Sequence, residues 1–107
     1  MDQTQLLKGV LDLVVLAALD RDDGYGYDIV RRLREGGLEG VGEASVYGTL
    51  RRLFTGGHIS SYVVPSEEGP HRKYYSLTDS GRAKLNDGSK DWTQFAETMA
   101  SFLEEAA

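Results

Sequence analysis

The chain has 107 residues, a formal net charge of −5 and no cysteine. This length fits one small domain, whose modest core favours support from a second subunit. The lack of cysteine excludes disulfides and thiolate metal sites, and two histidines far apart, His58 and His71, do not predict a metal centre. The longest uncharged apolar run, Leu13 to Leu19, is far shorter than the roughly 20 residues that span a bilayer. We therefore expect a cytoplasmic protein without a signal peptide or membrane segment.

The charges are unevenly distributed along the chain. Residues 31–84 carry nine basic and six acidic side chains, whereas residues 1–30 and 85–107 each have a net charge of −4. Local charge governs attraction to phosphate more than total charge does. The middle of the chain is therefore where we expect nucleic-acid contacts, and the acidic flanks should keep non-specific binding weak.

The first predicted helix, residues 6–19, is apolar on almost every side. Such a helix is buried on more than one side, so one side should face the domain and the other a second subunit or a ligand. A turn is predicted at residues 20–24, and a second helix from about Tyr25 to Glu35. The arginines on the outer face of this second helix are Arg31, Arg32 and Arg34.

A third helix is predicted from Glu43 to Thr55, ending at Gly56-Gly57. Val46, Leu50 and Leu53 recur with helical spacing and should face the core. The other face then carries hydroxyl and guanidinium groups, which suit a DNA groove, although an ordinary solvated face is the alternative. The predicted contacts are Ser45, Thr49 and Arg52 with the major groove, Tyr47 and Arg51 with phosphates, and Gly48 as a point of close approach.

A β-hairpin follows the third helix. Residues 58–65 predict a strand, residues 66–70 a turn, and the alternation from Arg72 to Leu77 a returning strand. Arg72 and Lys73 stand at the turn end of this wing, where they would grip the DNA backbone or minor groove. The alternative is that these two cations only offset the glutamates of the turn.

The last predicted helix runs from about Asp79 to Glu105, with Thr78 as its N-cap. Its distal half carries an apolar stripe at helical spacing, and with no further chain to cover it we expect a second subunit there. The predicted dimer interface consists of Leu6, Val10, Leu13, Trp92, Phe95, Met99, Phe102 and Leu103.

Together these elements predict a mainly α (α+β) fold, a winged helix-turn-helix with a long C-terminal dimerisation helix. The DNA-binding domain would be residues 1–77 and the dimerisation helix residues 78–107. In their order and their sequence motifs, the elements resemble the short, single-arm branch of the PadR family of bacterial transcriptional regulators. The matching segments are Gly26-Tyr27-Asp28-Ile29, Ser45 to Leu53 and, most specific, Gly69 to Thr78 with its Arg-Lys-Tyr-Tyr-x-Leu-Thr phrase.

The resemblance implies a homodimer that binds a roughly palindromic operator in double-stranded DNA, most often as a repressor released by a small molecule. In similar multidrug-sensing members, a tryptophan at the place of Trp92 lines a hydrophobic pore at the dimer centre and stacks on flat aromatic compounds. Leu13, Ala17 and Ala96 would form the neighbouring wall. The alternative is that Trp92 only packs the dimer interface.

The chain departs from the family pattern in two places. Phe54 and Thr55 stand where the recognition helix usually carries acidic or polar residues, past its DNA-facing turns. Ala96 stands where other members carry an acidic residue, which would shift effector preference toward neutral or anionic aromatic compounds.

Two other classes of function fit the sequence less well. The acidic net charge leaves open a winged-helix protein-interaction module without specific DNA binding. An enzyme is not predicted, because no nucleophile–base pair, metal-ligand spacing or cofactor fingerprint is present. No cofactor is expected for the same reason.

Overall fold

The computed structural model describes residues 6, 7 and 9–106, with side chains up to residue 104. The helices are α1 (Leu11–Arg21), α2 (Gly26–Glu35), α3 (Glu43–Thr55) and α4 (Asp79–Ala106), and the strands are β1 (Gly24–Tyr25), β2 (Ile59–Val64) and β3 (Arg72–Leu77). The predicted winged helix-turn-helix with a long C-terminal helix is confirmed. Within the described residues, no helix is both long and apolar enough to cross a bilayer.

The first predicted helix is interrupted: Leu6 and Leu7 are helical, but α1 itself begins only after Gly9 and Val10. The apolar pattern predicted one helix over residues 6–19, but Gly9 has a φ of +90°, and the regular helix starts at Leu11. A left-handed glycine interrupts the helical path, because an α-helix needs φ near −63°. From Leu11 onward one face of α1 enters the core, with Val15, Leu16 and Leu19 buried.

Helix α3 has the predicted bounds and the predicted glycine end. Gly57 has a φ of +79°, its N–H donates to Phe54, and the N–H of His58 donates to the carbonyl of Leu53 at 2.9 Å. This pair of bonds satisfies the last helical carbonyls and turns the chain toward β2. Helix α2 ends in the same way, with Gly37 in the left-handed conformation.

The strands form one antiparallel sheet in the order β1-β3-β2. Strands β2 and β3 pair along their full length, with Ile59 opposite Leu77, which confirms the predicted hairpin. Strand β1 was not predicted: residues 20–24 were expected to form a turn and Tyr25 a helix start. Tyr25 instead pairs with Tyr74. Two residues contain no alternation to read, so only the pairing partner identifies this strand.

The core lies between the helices and the inner face of the sheet. Its buried members are Leu7, Val15, Leu16, Leu19, Ile29, Val30, Leu33, Val41, Val46, Leu50, Leu53, Ile59 and Leu85. Leu85 comes from α4, so the first turns of that helix belong to the body of the protein.

Helix α4 begins where the sequence predicts. The hydroxyl oxygen of Thr78 accepts the N–H of Gly81 at 3.1 Å, and the hydroxyl donates to the carbonyl of Gly57 at 2.7 Å. Thr78 is thus the N-cap and also a link to the end of α3. Glycine is needed at position 81, because a Cβ there would lie 1.9 Å from the carbonyl oxygen of His58.

Candidate nucleic-acid interface

One face of α3 enters the core. Val46, Leu50 and Leu53 are buried, as predicted. Thr49 is also fully buried, so the prediction that it faces outward was wrong. Steps of three and four residues return to the same side of a helix, which places residue 49 with the core stripe. Its hydroxyl accepts a hydrogen bond from Arg52 at 3.0 Å.

The outer side of α3 has two parts, and the first faces the groove between α1 and α4. Ser45, Gly48 and Arg52 line this groove. The guanidinium of Arg52 is 3.2 Å from the carboxylate of Asp12 on α1. Both side chains are exposed, so the pair is weak and a phosphate can compete for Arg52.

The second part of the outer side consists of Tyr47 and Arg51, one helical turn apart. The ring of Tyr47 packs on the start of α2, where a Cβ on Gly26 would lie 2.2 Å from a ring carbon. Burial, with a smaller effect from the charge of Glu43, raises the pKa of Tyr47, so its phenol remains a neutral hydrogen-bond donor. Arg51 is exposed and forms no ion pair or hydrogen bond with any described residue.

The wing carries its two cations on opposite faces of the sheet, because successive strand residues alternate. The guanidinium of Arg72 lies 4.6 Å from the ring centroid of Tyr25. The ammonium of Lys73 lies 5.2 Å from that of Phe54. Neither cation pairs with the turn glutamates within the described residues. The alternative, that these cations only offset the turn glutamates, is therefore not supported by any ion pair among the described residues.

Three tyrosines form a row across the outer face of the sheet. Tyr25 and Tyr62 flank Tyr74, with ring centroids 5.5 Å and 5.8 Å from its own. The phenol of Tyr62 donates to Asp23 at 2.7 Å, and this hydrogen bond raises the pKa of Tyr62. The row ties the wing to the loop before α2. Sequence reasoning missed it because it requires β1.

The arginines of α2 are less free than the sequence suggested. Arg32, predicted to point outward, is half-buried and donates to the carbonyls of Ala18, Asp22 and Asp23 and to the carboxylate of Asp28 at 2.6 Å. Arg34, also predicted outside, is half-buried and donates to the carbonyl of Val41. Arg31 is exposed but pairs with Asp28 and Glu35. The positive charge available to a ligand is therefore concentrated on α3 and the wing.

The proposed effector residues are only partly brought together. Leu13 and Trp92 line the groove between α1 and α4, whereas Ala17 and Ala96 are not among its lining residues. Gly88 lets the two helices approach, since a Cβ there would lie 2.9 Å from Leu13. Trp92 itself remains exposed to solvent.

The distal half of α4 exposes its apolar stripe. Trp92 is 46% exposed, Phe102 66% and Leu103 62%. Phe95, Met99 and Leu6 are exposed as well, while Val10 and Leu13 are half-buried. The predicted interface residues therefore meet solvent in a single chain, which is the property that a dimer interface requires.

Known proteins share both the sequence pattern and the fold. The profile of the transcriptional regulator PadR-like family matches residues 15–87. An uncharacterised protein of Lysinibacillus sphaericus is 30% identical over 106 residues, 97% of each chain. A PadR-like transcriptional regulator of Bacillus cereus superposes with a TM-score of 0.82 at 33% identity, covering 92% of this chain and 96% of that one.

A solved complex of Bacillus subtilis PadR with operator DNA is also similar. It has a TM-score of 0.67 and 29% identity, and the match covers 73% of this chain but only 45% of that chain. The family consists of transcriptional regulators, in agreement with the expectation that the chain is not an enzyme. Because the profile covers more than half of the residues and relatives match over nearly the full length, the chain belongs to the PadR-like family of transcriptional regulators.

Proposed function

We propose that the protein is a homodimeric repressor that binds a palindromic operator in double-stranded DNA. The observation that carries this proposal is the cluster of cations on α3 and the wing, none of which is neutralised by a strong internal partner. Arg51 is unpaired among the described residues, and Arg72 and Lys73 rest on aromatic rings. Such cations bind phosphates and release counterions.

Base recognition would come from the N-terminal turns of α3. Ser45 is exposed and Gly48 leaves room for a groove edge, while Tyr47 and Arg51 reach the flanking phosphates. Arg52 would exchange Asp12 for DNA. Thr49 is removed from the predicted set of contacts, because its side chain is buried. The operator complex of the Bacillus subtilis relative supports the use of this fold in operator binding.

Dimer formation would use the exposed stripe of α4. A helix of 28 residues is about 42 Å long at 1.5 Å per residue, and only its first turns pack on the body. A second copy would cover Phe95, Met99 and Phe102 and place two recognition helices about one helical turn of DNA apart, on the order of 34 Å.

The effector would be a flat aromatic molecule bound at Trp92 and Leu13. The same groove is lined by Ser45, Gly48 and Arg52 from α3, so a ligand there would touch both the dimerisation helix and the recognition helix. Release of DNA by such a ligand is a coupling free energy between two sites. The chain has one tryptophan, so its fluorescence can be followed directly while flat aromatic compounds are titrated into the protein. Quenching of Trp92 fluorescence without a loss of operator affinity would contradict this route.

The deciding experiment is enrichment of genomic DNA fragments by the purified protein at near-physiological salt. One enriched palindrome upstream of a gene would support the repressor. Salt-independent recovery without an enriched sequence would favour instead the winged-helix protein-interaction module that the acidic net charge suggests.

A further inference from the structure

Lys73 and Phe54 join the wing to the recognition helix. Lys73 lies near the start of β3 and Phe54 is the penultimate residue of α3. The Lys73 ammonium is 5.2 Å from the centroid of the Phe54 ring and 5.7 Å from that of Tyr75. Both distances lie within the roughly 6 Å over which a cation is attracted to an aromatic face.

Core packing does not account for Phe54. The side chain is 45% exposed, and it lies outside the set of buried and half-buried residues that form the core. An exposed phenylalanine at the end of a helix gains little from burial, so its contact with Lys73 is the interaction that distinguishes it. Within the described residues, no carboxylate pairs with Lys73.

The type of side chain at position 54 determines how much of the positive charge of Lys73 is neutralised. A carboxylate there would form an ion pair with Lys73 and cancel most of the charge that a DNA phosphate needs. An aromatic ring attracts the ammonium through its quadrupole but carries no net charge. Lys73 is therefore held in place while its full positive charge stays available for counterion release from DNA.

We propose that Phe54 is a positioning residue that presents Lys73 to a DNA phosphate in the cleft between α3 and the wing. The inference rests on the proposed DNA binding. It gives Phe54 a role through Lys73 and not through a contact of its own with DNA.

The test measures affinity for a fluorescein-labelled duplex of mixed sequence, about 21 base pairs long, at salt concentrations from about 50 to about 200 mM. Phosphate contacts do not depend on sequence, so the operator is not needed. The variants are Phe54→Leu, Phe54→Glu, Lys73→Ala and the double variant Phe54→Leu/Lys73→Ala. Phe54→Tyr is the matched control, because it keeps the aromatic face.

Each variant has a distinct expected result. Lys73→Ala lowers the salt slope by about 1 per contact, hence by about 2 in a dimer, and Phe54→Glu lowers it similarly. Phe54→Leu lowers affinity about two- to fivefold per subunit with the slope unchanged, because the charge remains. Phe54→Tyr stays near the wild type. In the Lys73→Ala background, Phe54→Leu has no further effect.

Three outcomes separate a failure of the inference from a failure of the proposed function. If Phe54→Leu costs the same affinity with and without Lys73, Phe54 acts independently of the lysine although DNA binding stands. Salt-independent binding by the wild type would overturn DNA binding itself. In the free protein, NMR signals of the Lys73 ε-methylene should be shifted by the Phe54 ring and should move in Phe54→Leu; unshifted signals overturn the contact whether or not DNA binds.

Discussion

The body of the protein and the distal half of α4 use apolar side chains in opposite ways. In the body, which comprises residues 11–88, Leu50 and Ile29 are fully buried, whereas Phe102 and Leu103 of the distal half, residues 89–106, are more than 60% exposed. Both regions have the same helical spacing of apolar residues. The difference shows that a stripe stabilises the monomer only where other elements cover it, and the distal stripe lacks such a cover in the single chain.

The largest expected effect comes from one substitution made in both regions. Leu50→Ala removes a fully buried side chain from α3 and should lower the free energy of unfolding by about 3 kcal/mol. Leu103→Ala makes the same chemical change in the distal half. It should leave monomer stability nearly unchanged and weaken only the dimer. Urea unfolding at several protein concentrations separates the two effects; equal, concentration-independent losses would remove the distinction between the regions.

The second test concerns charges within the body. Arg32→Met removes four hydrogen bonds and leaves Asp28, whose side chain is only 11% exposed, with Arg31 as its remaining ion-pair partner among the described residues. The free energy of unfolding should fall by about 2 to 3 kcal/mol. The neighbouring variant Arg31→Met removes the other ion pair of Asp28 but no bond to a backbone carbonyl, and at a side chain that is 52% exposed it should cost clearly less than Arg32→Met. Thermal unfolding of both variants checks this, and similar losses would mean that Arg32 is an ordinary surface cation.

The third test charges the distal stripe. Phe102→Glu would place an unpaired carboxylate in an apolar interface and should weaken dimerisation at least about tenfold. Ser101→Glu adds the same charge to the opposite, exposed side of the same helix and should leave the proposed dimer intact. Sedimentation equilibrium measures both dissociation constants. Dimerisation that survives Phe102→Glu would mean that a different surface joins the subunits.

The fourth test compares two arginines of α3. Arg51 is unpaired among the described residues, so Arg51→Ala should reduce the salt slope of DNA binding by about 1 per contact. Arg52 is already opposite Asp12, so Arg52→Ala should reduce the slope less. Anisotropy titrations over a salt series measure both slopes, and a larger reduction for Arg52→Ala would mean that Arg51 is not the stronger phosphate contact.

The smallest expected effect is a loss of folding stability at alkaline pH, which depends on Tyr62 at the outer face of the sheet. The hydrogen bond to Asp23 raises the pKa of Tyr62 in the folded state, so the folded protein holds this proton more tightly than the unfolded chain. The stabilisation is complete below the unfolded value of about 10 and is lost as the pH rises through the folded value. Tyr62→Phe should flatten this alkaline decline in the melting temperature. A decline that stays as steep in Tyr62→Phe as in the wild type would mean that this hydrogen bond does not contribute to it.

Much of the fold follows from local patterns. The bounds of α3 were predicted because glycines lie on both sides of a regular apolar spacing, and the α4 start because Thr78 is a good N-cap. Strand β1 could not be predicted, since two residues have no periodicity and its pairing partner is about 50 residues away. Thr49 was misplaced because its hydroxyl suggests a solvated face, although its spacing from Val46 and Leu53 places it with the core stripe.

The candidate site was predicted less completely than the fold. The basic, aromatic character of α3 and the wing is visible in the sequence, as is the apolar stripe of α4. The sequence does not show which of these cations are free to bind a phosphate. Arg32 donates to carbonyls of α1 and of the turn that follows it, and Lys73 lies against an aromatic ring on another element.

By itself, the sequence determined the order of helices and strands, their glycine and threonine ends, and the presence of two apolar stripes, because these depend on residues a few positions apart. Only the tertiary structure decided which charges stay free. Asp12 and Arg52 meet across 40 positions of the chain, and Phe54 meets Lys73 across the gap between helix and wing. Such contacts depend on how the elements pack, and that arrangement is set by the burial of the shared core.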